Sequence, residues 1–136
     1  SVYAYGLFRS VAGKGASKRS LIGLMLSGLF MSFAGIFPGD FDNKQTTTML
    51  LHTLGSFGSY LFFLLAAFTY PKHMHTSTYW KQASRPTLLF TWLTILFGAW
   101  PFLFPSMPAV GQRFVFLFYF VWIFYTAIKL CRQPFK

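Results

Sequence analysis

A chain of 136 residues that is 54% hydrophobic and 22% aromatic carries more apolar surface than a domain of this size can bury within itself, so lipid must serve as its solvent. Only 10% of the residues are charged, and the twelve basic ones behind the net charge of +10 sit in short gaps between apolar runs, which excludes the solvated basic face that a nucleic-acid binder needs. The single cysteine, Cys131, excludes an internal disulfide framework and a multi-cysteine metal site; beside a helix end it reads as an inert thiol, with palmitoylation as the alternative.

In chain order, Val2 to Phe8 reads as the interfacial last turns of a helix whose earlier part precedes Ser1, and residues 9 to 20 as a Gly/Ser-rich basic connector. Its Gly13-Lys14-Gly15 lacks the preceding strand and the earlier glycine of a phosphate-binding loop, so it is read as solvated loop. The first full apolar run, residues 21–37, has no charge and a length of roughly 25 Å as a helix, enough for a thin bilayer core. Gly28, Ser32 and Gly35 recur at i, i+4 and i+7 and predict a small-residue stripe where another helix can approach. Pro38 and Gly39 stop the helix, and the only two acids, Asp40 and Asp42, follow in the loop.

A second run spans residues 47–70, and its one ionisable residue is His52. His52 shares a helical face with Gly55, Ser56 and Ser59, which predicts that this face meets a neighbouring helix, since a lipid-facing polar stripe is costly. Residues 71–85 read as a second basic connector, with Tyr70, Tyr79 and Trp80 as interfacial anchors; His73 and His75 are two apart, off a common helical face, and no metal site is expected there. Ser84 as N-cap and Pro86 near the first position open a third run over 87–104, which Pro101, Pro105 and Pro108 end. The last run covers 111–130, with Arg113 in its first turn and Lys129, Cys131, Arg132 and Lys136 closing the chain.

Four spans sort the charges into two sides. Arg9, Lys14, Lys18, Arg19, Lys72, Lys81, Arg85, Lys129, Arg132 and Lys136 fall on one side, against Lys44 and Arg113 with both aspartates on the other. By the positive-inside rule both visible termini are expected in the cytoplasm, with residues 38–46 and 105–110 on the outer face.

Three stretches, Gly35-Ile36-Phe37-Pro38-Gly39-Asp40, His52 with Gly55, and Gly111-Gln112-Arg113, resemble the multi-pass membrane family catalogued as domain of unknown function nine-nine-eight. The resemblance implies an all-α bundle of about six transmembrane helices, of which the four visible spans are the last four. It also implies a Phe-Pro-x-Asp element after the third helix, a His near the start of the fourth, and a Gly-x-x-Arg-like element opening the sixth; Gly111-Gln112-Arg113 is one residue shorter than that element. It brings no activity and no cofactor.

Asp40, Asp42, His52 and Arg113 are thus expected near one membrane face as a structural or ligand-contacting cluster. The structural reading pairs Asp40 with Arg113 and bonds His52 to a loop carbonyl or an aspartate. The functional readings are a headgroup hydrolase that uses His52 as an oriented base, a pocket for a lipid, quinone or other small ligand, and an accessory subunit packed in a larger membrane complex. The sequence favours the accessory, non-catalytic role, with lipid and other transmembrane helices as partners; a single intramembrane His argues against a bis-histidine haem.

Overall fold

Each apolar run is a helix, and its ends differ from the expected ones mainly at prolines. The computed structural model describes residues 2–13, 17–39 and 45–134. Its α-helices are α1 (Val2–Val11), α2 (Arg19–Ile36), α3 (Thr47–His75), α4 (Ser84–Gly98), α5 (Trp100–Leu103) and α6 (Pro108–Cys131), with a 3₁₀ turn at Lys81–Ala83 before α4. Among the described residues four segments are long and apolar enough to cross a membrane: Arg19–Ile36, Thr47–His75, Lys81–Leu103 and Ala109–Cys131.

α2 ends where Phe37, the residue before Pro38, is forced out of the helical region to φ −104°, ψ 101°. α3 starts at Thr46, whose side chain caps the helix by accepting the Met49 N–H at 3.2 Å. The expected stop at Pro71 does not occur. α3 continues through it to His75, so the connector is shorter than 71–85. Proline removes only the hydrogen bond to the Ala67 carbonyl, and Tyr70, Pro71 and Met74 are all buried, so packing carries the helix past the lost bond. α1 likewise runs beyond Phe8 to Val11, with Ala4, Leu7 and Val11 buried along one side.

At the start of α4, Ser84 is the first helical residue and not the cap: the Lys81–Ala83 turn feeds directly into the helix, and the Ser84 hydroxyl is buried without a partner among the described residues. The third run also breaks earlier than Phe104. Pro101 has no N–H for the Phe97 carbonyl; the chain turns at Ala99, and the Phe102 N–H bonds instead to the Ala99 carbonyl at 3.1 Å, a tighter i to i+3 turn. α6 packs into this kink through Gly111, where a Cβ would lie 2.7 Å from the Phe97 oxygen.

α3 is central. It packs on α2 on one side and on α4 on the other, α6 closes against α4, and α1 wedges between α2 and α6 at the end of the bundle that carries most of the basic residues. The core joins α3 to α6 through Phe63, Tyr70 and Trp122, all fully buried; Phe63 meets Trp122 edge to face at 5.4 Å between centroids. α4 contributes a buried threonine stripe, Thr87, Thr91 and Thr94. Each hydroxyl donates to the carbonyl four residues earlier at 2.7–2.8 Å, so the helix satisfies its own polar groups where water is absent.

The three expected interfacial anchors are instead packing residues, Tyr70 in the core already described. Trp80 is fully buried, and its Nε1–H donates to Ser10 Oγ at 2.7 Å; Ser10 in turn bonds Gln133. Tyr79 donates to the Lys129 carbonyl at 2.7 Å, and the Lys129 ammonium lies 4.3 Å from its ring centroid. The α3–α4 connection thereby pins α1 and α6 together at the basic end.

Candidate functional site

The α2–α3 seam is built from small residues. A Cβ on Gly55 would fall 2.6 Å from the Ala34 nitrogen and 2.8 Å from its Cα, so the two backbones touch there. Below it, Ser27 donates to the Ser59 carbonyl at 2.9 Å and lies 3.1 Å from the Tyr119 hydroxyl, which donates to it. Gly55 and Ser59 therefore lie in a helix contact. Gly28, Ser32 and Gly35 do not: all three are exposed, and among the described residues no atom outside the local helix backbone comes within 4 Å of a Cβ built on either glycine. α2 meets α3 through Gly23, Ser27 and Ala34 instead. Gly28 and Ser32 border an open groove of about 610 Å³ whose other edges are Tyr3 and Ala4 of α1 and Tyr119 and Ile123 of α6.

His52 is half-buried and turned toward the end of α2. Its Nδ1 lies 3.0 Å from the Ala34 carbonyl oxygen and 2.8 Å from that of Phe37. Both partners can only accept, so Nδ1 carries the hydrogen. The arrangement follows from the sequence: in an uninterrupted helix the Ala34 carbonyl would take the N–H of residue 38, which is a proline. His52 supplies the missing donor from the next helix. On the other side of the ring, Nε2 is 3.4 Å from Ser56 Oγ.

His52→Ala should therefore lower the stability of the bundle by about 1–2 kcal/mol, the cost of leaving a shielded acceptor unpaired. Thermal unfolding in detergent micelles is the measurement, and an unchanged midpoint would show that the capping bond contributes nothing.

Arg113 is exposed and lies outside the cavity described next, which its neighbour Gln112 lines. Asp40 and Asp42 lie outside the described residues, and with them the expected Asp40 to Arg113 pair. Of the expected cluster, the structure describes His52 and Arg113 only. His73 and His75, also set aside by the sequence, diverge: His73 meets the edge of Phe8, and His75 is exposed.

Beside His52 opens a cavity of about 460 Å³ between α3, the kinked α4–α5 segment and α6. This volume is in the range of pockets that hold small organic ligands. Phe57, Phe63, Phe97 and Phe116 form much of its wall, and Gly98 leaves room for the Tyr60 side chain, whose hydroxyl oxygen would lie 2.5 Å from a Cβ there. Its polar groups are unevenly used. At the deep end Ser59 and Tyr119 are bonded to Ser27, and Thr94 to the Phe90 carbonyl, so that end offers a ligand almost only apolar contact. At the α2–α3 loop end His52, Ser56 and Gln112 line the opening. No Asp, Glu, Lys or Arg is among the described lining residues.

Sequence reasoning singled out His52 and Ser56 but missed Gln112, Tyr60 and Phe97. The available signal was Gln112: an amide beside Arg113 in the first turns of a long apolar helix, lining the same cavity as His52.

The family model described as "Protein of unknown function (DUF998)" matches residues 1–129. No curated protein and no solved structure matches the chain.

Proposed function

We propose that this chain, which belongs to the DUF998 family of proteins of unknown function, is a polytopic membrane protein whose bundle holds a lipid or another small amphiphile in the cavity beside His52. One observation carries the reading: the cavity is apolar and self-satisfied at depth and polar at its opening, the polarity profile of a molecule with one wet end. The charge asymmetry supports placing the basic end in the cytoplasm, which sets the opening of the cavity toward the outer leaflet.

A second reading, an accessory subunit packed against another transmembrane helix, is favoured by the open groove beside Gly28 and Ser32. Native mass spectrometry of the protein released from lipid nanodiscs separates the two. The expected spectrum shows a bound small-molecule mass that is lost in Ala109→Trp, which fills the cavity at an exposed position. Bound mass that persists in that variant defeats the cavity reading, and a stoichiometric protein partner in place of the small molecule establishes the accessory one.

A further inference from the structure

We infer that the ligand's polar end is an uncharged hydrogen-bond donor, so that the cavity takes a long-chain alcohol in preference to a fatty carboxylate or a phosphate-bearing lipid. The inference rests on the reading above, and three features of the site set the ligand class.

The first feature is the orientation of the His52 ring. Its Nδ1 faces only carbonyl oxygens, those of Ala34 and Phe37, and therefore holds the ring hydrogen. In the neutral ring Nε2 is then a lone pair directed to the other side, where its sole partner among the described residues is Ser56 Oγ at 3.4 Å. A contact that long is easily displaced or supplemented by a shorter bond from an incoming hydroxyl. An ether or a carboxylate brings only lone pairs to this nitrogen.

The second feature is charge. A carboxylate or phosphate desolvated in the cavity needs a cation; no Lys or Arg is among the described lining residues, and the His52 ring in its neutral form supplies none. Arg113 is one residue from Gln112 yet outside the cavity. Gln112 offers both a donor and an acceptor, so it can hold a hydroxyl but selects no class by itself.

The third feature is depth. From His52 to Phe63 the wall runs eleven residues along α3, roughly 16 Å, and ends against bonded Tyr119 and Thr94. A single extended chain is accommodated with its end among aromatic rings, where the Ser59, Thr94 and Tyr119 hydroxyls are already hydrogen-bonded within the protein.

The test uses the full chain in nanodiscs and three photoreactive probes with the same dodecyl tail and a diazirine in it, ending in a hydroxyl, a methyl ether or a carboxylate. Labelling of residues 57–63 and 115–119 is read by mass spectrometry and normalised to the exposed side of α2. The hydroxyl probe should exceed the ether by about five- to tenfold, the ratio that one hydrogen bond in an apolar site gives, and should exceed the carboxylate by at least as much. His52→Phe should reduce the hydroxyl probe to the level of the ether while leaving the ether unchanged. Equal labelling by ether and hydroxyl, or a leading carboxylate, in the unaltered protein overturns the inference but keeps the cavity as a binding site. Absence of labelling at these residues by all three probes overturns both.

Discussion

Gly55→Ala should destabilise the bundle by about 2 kcal/mol, while Gly28→Ala should leave it unchanged or stabilise it by up to about 1 kcal/mol. The two substitutions add the same methyl group to glycines within helices of the same class. At Gly55 the methyl would overlap the Ala34 backbone, 2.6 Å from its nitrogen, and backbone cannot rotate aside as a side chain can. The two helices would have to separate over the whole seam, which also carries the Ser27 to Ser59 bond and the His52 cap. At Gly28 the methyl meets nothing within 4 Å, so only the gain in helix propensity remains. Unfolding midpoints of the two variants in titrations of a denaturing detergent compare them directly. Similar shifts for both would mean that α2 and α3 are not in backbone contact at Gly55.

Trp122→Ala should have a larger effect, about 3–4 kcal/mol, and Trp122→Phe about 1–2. The indole is fully buried between Phe63 and Tyr70, and its Nε1–H donates to Thr87 Oγ1 at 3.2 Å. It is the point at which three long helices share one side chain: α3 by its rings, α4 by its hydroxyl, α6 by its backbone. In lipid the transfer term of the hydrophobic effect is small, so the loss comes from the cavity and from dispersion contacts that no solvent replaces. Phenylalanine keeps most of the contacts and removes the donor, which separates the packing contribution from the hydrogen bond. If the two variants melt together, the packing argument fails; if both match the parent, Trp122 does not organise the core.

Sequence made the helices legible, because an apolar run without charge has few other forms open to it in lipid. Their ends were less so. Pro71 is a breaker by local rule, but Tyr70, Pro71 and Met74 are buried together, and no local rule can see that contact. Trp80 reads as an anchor from its place in a basic connector, whereas its nitrogen finds Ser10, seventy residues away. At the candidate site the surroundings of His52 were legible in part: its small-residue face does meet another helix, and among the described residues its ring meets the carbonyls of Ala34 within α2 and Phe37 just after it. The identity of the first carbonyl depends on Pro38 withholding a donor four residues after Ala34, a local fact whose consequence is long-range. The small-residue stripe of α2 misled about its neighbour within the chain because i, i+4 and i+7 spacing states which residues share a face, not which face is covered.

The unequal lengths of α2 and α3 have a mechanical consequence. At eighteen residues α2 is roughly 27 Å long, near the thickness of a bilayer core, while the twenty-nine residues of α3 reach roughly 43 Å. The seam sets Ala34 against Gly55 and Gly23 against Ala66, so the surplus of α3 is divided: it overhangs α2 before His52 at the loop end and again at the basic end, where Lys72, His73 and His75 lie in its last turn. α3 thus stands proud of its neighbour at both ends of the seam. A membrane that thins or thickens acts first on these overhangs, and the one at the loop end carries Met49 of the cavity wall, so the depth of the cavity mouth follows the thickness of the bilayer.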